Sequence, residues 1–115
     1  MKKIFCLSTV VSTVMVGKSW QENEQLIMES SPSDVWFHLD EESSCHVVLK
    51  NEDNIPLNKI DKKLIKRCAL IVKQHTNKCV EHQKYTIVYT NIDKLHLVGH
   101  GSVEFDHECV KKIRL

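Results

Sequence analysis

A segment from about Lys59 to Thr76 constrains the fold most, because its apolar and basic side chains each recur with the period of an α-helix. The apolar positions follow the i, i+3, i+4, i+7 spacing of one helix face and comprise Ile60, Leu64, Cys68, Ile71, Val72 and His75. The basic positions gather on the opposite side and comprise Lys59, Lys62, Lys63, Lys66, Arg67 and Lys73. The pattern predicts a long amphipathic helix with a basic outer face.

Short runs rich in β-branched and aromatic residues surround this segment and predict strands. These runs are Lys3–Leu7, Val11–Val16, Asp34–Leu39, Cys45–Lys50, Lys84–Thr90, Ser102–Phe105 and Cys109–Leu115, with a bend at Val98–Gly101. A shorter helix is predicted at Trp20–Glu29, where Ser19 and Glu22 form a capping-box pattern. The order ββαββαβββ over residues 1–115 predicts a single α+β domain with a mainly antiparallel sheet.

The N-terminal segment Met1–Val16 begins with two lysines and an apolar stretch, and so looks superficially like a signal peptide. Polar residues interrupt the stretch at Ser8, Thr9, Ser12 and Thr13, and no small-x-small cleavage site follows. We therefore interpret the segment as two neighbouring strands of the folded domain. No apolar run approaches the roughly 18 residues of a membrane span, so we expect no membrane partner.

Cysteine usage indicates a reducing compartment. The cysteines are five in number and irregularly spaced, at Cys6, Cys45, Cys68, Cys79 and Cys109. An odd, irregular set is more typical of free thiols in the cytoplasm than of a disulfide framework. We expect a cytoplasmic protein.

Charge is distributed unevenly along the chain although the formal net charge is only +1. Residues 1–54 contain 4 Lys against 9 Asp or Glu, a net charge of −5, whereas residues 55–115 contain 12 Lys or Arg against 6 Asp or Glu, a net charge of +6. Such asymmetry is a mild indication of a surface that faces a polyanion. A purely electrostatic binder would usually be more basic, so we expect modest affinity or a confined patch.

Aromatic and imidazole side chains mark a candidate site on the two central strands. Trp36 and His38 alternate on one face of the first strand, and His46 begins the second. An odd register in the connecting loop would bring His38 opposite His46, although sequence does not fix that register. Such a group could form a stacking platform for a nucleobase. The alternative is that Trp36 belongs to the core and His38 is a structural residue.

Several segments match, in order and with sensible spacing, the motifs of a known family. They are Val16-Gly-Lys-Ser19, Glu22-Asn-Glu24, Asp34-Val-Trp-Phe-His38, Ser44-Cys-His-Val47, Ile87-Val-Tyr-Thr90 and Gly101-Ser-Val-Glu-Phe105. Together they resemble the NFACT RNA-binding domain, the C-terminal module of ribosome-quality-control proteins. The chain departs from that pattern at Ser19, where the family has Asn, at Glu22, where it has Gln, and in an unusually acidic loop after Leu39.

The resemblance implies an α+β module that binds RNA or DNA and acts near ribosomal or transfer RNA, with the ribosome or other proteins as further partners. It implies a central surface that the side chains of Lys18, Asn23, Trp36, His38, His46 and Lys50 form or support, flanked by Lys62, Lys63, Lys66 and Arg67. Lysine and arginine would contact phosphates, and Trp36 would stack on a base or wall the site. The histidines would bond phosphate or base edges and gain charge below about pH 6.5. The tail-extending or tRNA-recruiting activity of the large family members does not follow from this chain.

Three alternatives stay open at this stage. A protein-interaction adaptor of the same fold would fit the low net charge and the acidic loop. A small metalloprotein would use the pairs Cys79 and His82, His96 and His100, and His107 and Cys109, whose spacings match no standard zinc arrangement. An enzyme is disfavoured because adjacent Cys45 and His46 would point to opposite sides of a strand. We expect no catalytic residue, no resident metal and no cofactor.

Overall fold

A six-stranded antiparallel sheet forms the centre of the computed structural model, which describes residues 1–7 and 11–115. Its strands lie in the order β1-β2-β4-β3-β5-β8, with β1 at Lys2–Leu7, β2 at Val11–Gly17, β3 at Val35–Leu39, β4 at His46–Leu49, β5 at Thr86–Asn91 and β8 at Lys111–Arg114. A separate hairpin pairs β6, His96–Gly99, with β7, Ser102–Glu104. The first two predicted strands are thus confirmed, while their connection at residues 8–10 lies outside the described residues.

Helix α1 spans Trp20–Glu29, as predicted. Its N-cap is Ser19, whose hydroxyl oxygen accepts the backbone N–H of Glu22 at 3.2 Å. The carboxylate of Glu22 in turn accepts the backbone N–H of Lys18 at 3.0 Å. The first bond satisfies an N–H group that the first turn of the helix leaves free, and the second ties the residue before the N-cap to that turn.

Helix α2 spans Lys62–Gln74 and starts three residues later than predicted. The cause is Asp61, the N-cap, whose carboxylate accepts the backbone N–H of Lys63 at 2.9 Å. The preceding Leu57–Lys59 forms a short 3₁₀ turn instead of helix. The buried side of α2 consists of Leu64, Ile65, Cys68, Ala69, Ile71 and Val72, which is broader than the predicted stripe.

The two helices pack on opposite faces of the sheet. Alternate residues of β3 separate the two cores, because side chains along a strand point to opposite faces. Phe37 and its neighbours Val35 and Leu39 pack with α2, whereas Trp36 packs with α1 and with the β6–β7 hairpin. Both faces of the sheet are therefore covered, one by a helix and the other by a helix and a hairpin.

Four strands follow α2 where the sequence predicted three, so the predicted order is wrong at that point. The missed strand is β6, part of which was predicted as a bend. The turn between β6 and β7 holds Gly99, His100 and Gly101 at positive φ, which gives this segment the composition of a loop. Pairing with β7 makes it a strand. The predicted fold class, an α+β domain with a mainly antiparallel sheet, is confirmed.

Helices α1 and α2 are both too short and too polar to cross a bilayer, and no other helix among the described residues could span one.

Candidate functional site

His38 and His46 lie side by side on the face of the sheet that carries α1. Strands β3 and β4 pair Phe37 with Val47, and the same antiparallel register sets His38 opposite His46. The centroids of the two imidazole rings are 4.7 Å apart, with the ring planes nearly perpendicular. His38 and His46 therefore lie opposite each other, which is the arrangement that an odd loop register would produce.

Trp36 is part of the core and supports this pair from below. Its side chain is only 1% exposed, with one ring face stacked on His38 at 5.4 Å and the ring of Phe105 tilted against it at 5.6 Å. Its indole N–H donates to Nδ1 of His46 at 3.1 Å. Of the two roles considered for Trp36, stacking on a base is wrong for this conformation, because His38 and Phe105 occupy its surroundings. The ring walls the site instead.

A cleft of about 470 Å³ opens above the histidine pair. Helix α1 contributes Trp20 and Asn23 to its lining, and the hairpin and the segment after it contribute His100, Phe105 and His107. The acidic loop after β3, with Glu41 and Glu42 exposed, forms another side. Three parts of the chain that are distant in sequence thus converge on residues of two central strands.

Trp20 is the accessible aromatic ring of the cleft, and the sequence analysis did not single it out. Its side chain is 48% exposed and meets His100 edge to face at 5.0 Å. In the sequence analysis Trp20 was only the first residue of the predicted helix Trp20–Glu29. The usable signal was its place directly after the capping residue Ser19, where α1 has not yet reached the core.

Asn23 occupies the back of the cleft with an unsatisfied acceptor. Its side chain is 8% exposed, and its carboxamide oxygen is buried without a hydrogen-bond partner in the described part of the chain. Gly17 and Gly101 both approach this side chain closely, since a Cβ added at either would lie within 3.1 Å of one of its atoms. A buried acceptor without a partner is costly, and the oxygen of Asn23 carries that cost because it is packed against Gly17.

Lys18 lines a second, smaller cavity of about 320 Å³ beside the cleft, together with His75 at the end of α2. Ser43 and Ser44 line both cavities and so separate them. The ammonium group of Lys78 reaches the hydroxyl of Ser43 at 3.4 Å. The second cavity is therefore the cationic one, whereas the cleft has an acidic rim.

The cleft histidines are poor bases. Burial lowers the pKa of His46 to about 3, with a smaller contribution from neighbouring His38. Burial also lowers the pKa of His38, and the positive charge of Lys78 acts in the same direction against a hydrogen bond to Leu39 that raises it. The expectation that the pair gains charge below about pH 6.5 is wrong for His46, which stays neutral well below that pH, and the pKa of His38 is lowered in the same direction.

The remaining predicted residues lie elsewhere. Lys50, at the other end of β4, places its ammonium 3.3 Å from the carboxylate of Asp34, which also accepts the backbone N–H of Asn51. The basic residues of α2 lie across the sheet from the cleft and are Lys62, Lys63, Lys66 and Arg67. The predicted single surface is therefore divided between two faces, and phosphate contact by α2 stays a prediction.

The catalytic and metal alternatives gain no geometric support. Cys45 points away from His46 into the other core, where its thiol contacts Thr76 and the carbonyl of Val72, and burial raises its pKa. A buried neutral thiol is a weak nucleophile. Within residues 1–7 and 11–115, no three His, Cys, Asp or Glu side chains are grouped to hold a metal ion.

Gly101 fixes the hairpin against α1 and so shapes the cleft. It has φ +75°, and a Cβ there would lie 2.7 Å from the carbonyl oxygen of Trp20. We expect Gly101→Ala to lower the free energy of unfolding by about 1–3 kcal/mol, since a methyl group would push the hairpin away from the helix. Urea denaturation followed by tryptophan fluorescence measures the change.

Gly99→Ala is the matched control, because Gly99 also has positive φ, +109°, but an added Cβ would meet no atom within 4 Å. The difference between the two variants isolates the steric contact from the backbone strain. Equal losses in both would show that the hairpin does not depend on this close approach.

Comparison with known proteins places the chain in context. Residues 1–106 match a family model described as the NFACT protein RNA binding domain. Curated relatives include coiled-coil domain-containing protein 25 from Danio rerio, 34% identical over 92% of this chain and 54% of that protein, and from Mus musculus, 33% identical over 88% and 50%. The Dictyostelium discoideum homolog is 35% identical over 81% of this chain and 47% of its own length. The chain thus spans about half the length of the curated relatives it matches.

A solved structure supports the fold independently of close sequence similarity. The C-terminal part of the fibronectin/fibrinogen-binding protein from Streptococcus suis aligns with 99% of this chain and 44% of that chain, with a TM-score of 0.82 at 18% identity. The likeness extends over the sheet, both helices and the hairpin.

Proposed function

This chain belongs to the NFACT RNA-binding domain family, and we propose that it binds RNA in the cleft between α1, the β6–β7 hairpin and the histidine pair. The observation that carries the proposal is the family match over residues 1–106. The cleft supplies what such binding needs, namely an exposed aromatic ring, Trp20, and polar side chains that a rigid sheet holds in place. Ribosomal or transfer RNA is the proposed partner, by analogy with the family's place in ribosome quality control.

The proposed activity is binding without catalysis, in the cytoplasm. The absence of a catalytic step is supported by the buried neutral thiol of Cys45 and by its separation from His46 across the sheet. The cytoplasmic location is supported by the cysteines, all of which are free thiols, with Cys6, Cys45 and Cys68 buried.

Trp20→Ala should weaken RNA binding by about 5- to 150-fold, because stacking of a base on an aromatic ring contributes roughly 1–3 kcal/mol. The experiment is fluorescence anisotropy of the purified protein with structured RNA, single-stranded RNA and duplex DNA across a salt series. Affinity should fall as salt rises, since cations displaced from the phosphates are released into solution. The ranking of the three ligands distinguishes RNA from DNA.

Met28→Ala is the matched control, since Met28 is an exposed apolar residue of the same helix that does not line the cleft. Its affinity should equal that of the unaltered chain. If a folded sample binds no RNA at low salt, the proposal fails. A protein-interaction adaptor is then the function to pursue, which the exposed Glu41 and Glu42 at the cleft rim would suit.

A further inference from the structure

The hydrogen bonds of the histidine pair determine what the cleft can recognise. Nδ1 of His46 accepts the indole N–H of Trp36, so the proton of this neutral ring is on Nε2. Nδ1 of His38 lies 2.7 Å from the carbonyl oxygen of Leu39, a contact that requires a proton on Nδ1. His46 therefore offers a donor at Nε2 and His38 an acceptor at Nε2. Among the described residues, neither Nε2 atom has a hydrogen-bond partner. Neither is among the polar atoms that are buried without a partner, so both Nε2 atoms are exposed to the cleft.

A donor beside an acceptor matches a nucleobase better than it matches a phosphate. The edges of bases carry N–H donors next to carbonyl or ring-nitrogen acceptors, whereas a phosphate presents only acceptors and negative charge. The exposed carboxylates of Glu41 and Glu42 have no cation within 4.0 Å among the described residues, so they would repel a phosphate at this rim.

Cationic groups for a phosphate lie in the neighbouring cavity instead. Lys18 lines it, and the ammonium of Lys78 reaches Ser43 on the wall that it shares with the cleft, whereas burial lowers the pKa of His75, which lines the same cavity. The two cavities together offer a polar compartment with neutral histidines and an acidic rim, and a cationic compartment, separated by Ser43 and Ser44. This arrangement is complementary to a nucleotide, in which a neutral base is joined to an anionic phosphate.

We propose that the cleft takes one unpaired nucleobase, with its phosphate held on the Lys18 side, so that the domain selects RNA in which a base is unstacked. The inference rests on the proposed function and makes it specific. A base inside a duplex has its edge paired and its faces stacked, so it can enter the cleft only after unpairing. Single strands and loops present such bases directly.

Histidine side-chain NMR of the unaltered protein tests the two compartments separately. Nucleoside monophosphates titrated into the protein should shift the ring nitrogens of His38 and His46, whereas inorganic phosphate should shift those of His75 alone. A shift of His38 and His46 by inorganic phosphate would overturn the proposal. So would nucleoside monophosphates that leave both cleft histidines unchanged.

Anisotropy with a single-stranded RNA and with the blunt duplex of the same sequence tests selectivity. The single strand should bind at least about 10-fold more tightly, because unpairing and unstacking a base costs a few kcal/mol. His46→Asn should weaken binding of the single strand by about 3- to 10-fold, since the Asn oxygen can still accept the indole N–H while the cleft donor is lost. His96→Asn is the matched control, because His96 is exposed on β6 and does not line the cleft.

Equal affinity for the single strand and the duplex would overturn the base-in-cleft inference while leaving RNA binding intact. If the unaltered protein binds no RNA at all, the proposed function fails and this inference fails with it. The NMR measurement on the unaltered protein keeps the inference testable if His46→Asn does not fold.

Discussion

Trp36→Ala should lower the free energy of unfolding by about 3–5 kcal/mol, the largest single effect expected in this domain. The ring is 1% exposed and belongs to the core beneath α1 and the hairpin. Its removal leaves a cavity and also strips His46 of the N–H that its Nδ1 accepts. A buried acceptor without a partner adds to the cost of the cavity. Equilibrium urea denaturation followed by circular dichroism measures the loss.

Two further variants test which part of the loss comes from the hydrogen bond of Trp36 and which from its burial in the core. Trp36→Phe keeps most of the aromatic volume but removes the N–H, so we expect a smaller loss of about 1–3 kcal/mol. Trp20→Ala removes the half-exposed ring of the cleft and should cost less than about 1 kcal/mol. Equal losses for Trp36→Ala and Trp20→Ala would contradict the assignment of one ring to the core and the other to the ligand surface.

Acidification should destabilise the domain through His46. The folded-state pKa of His46 is about 3, while the unfolded chain has the ordinary value of about 6.5. Below pH 6.5 the unfolded state therefore binds a proton that the folded state does not, and stability falls as pH falls. This destabilisation of the folded state is absent above the unfolded-state pKa. It grows by about 1.4 kcal/mol per pH unit below that pKa, which gives about 2 kcal/mol at pH 5. Urea denaturation at pH 7 and pH 5 measures the difference.

His46→Asn should remove most of this pH dependence, leaving the part that comes from His38 and from carboxyl groups. His96→Asn should keep it, because no comparable burial acts on that exposed ring. The nearby charges are those of Lys78, which opposes protonation of His38, and of the loop carboxylates Asp40, Glu41 and Glu42. If the free energy of unfolding falls by the same amount between pH 7 and pH 5 in the unaltered chain and in His46→Asn, burial does not hold His46 neutral.

Local sequence patterns predicted most of the secondary structure because those patterns act over a few residues. The hydroxyl of Ser19 accepts the N–H of Glu22 as the capping-box spacing implies, although the carboxylate of Glu22 accepts the N–H of Lys18, and the apolar period of α2 matches its buried side. Strand β6 was missed because four residues next to a Gly-His-Gly turn have no strand period of their own. Hydrogen bonds to β7 stabilise it, and pairing between strands is not a local property.

Part of the candidate site was accessible from sequence. The alternation of Trp36 and His38 placed them on one face, and the resemblance added His46, although the sequence did not fix the register that sets it opposite His38. The apolar pattern did not distinguish the buried ring of Trp36 from the half-exposed ring of Trp20, and the one local signal was the place of Trp20 directly after the N-cap Ser19. Which ring is covered depends on how α1 and the hairpin pack over the sheet.

The sequence by itself determined the fold class, the family and four residues of the cleft, since these depend on local periodicity and on motif order; the four are Asn23, Trp36, His38 and His46. Tertiary structure alone decided that the basic side of α2 and the cleft lie on opposite faces of the sheet. It also decided that the histidines are neutral, because their pKa values depend on burial and on partners far away in the chain. A charge pattern records which residues are basic, but only packing places them in space and sets the dielectric around each titratable group.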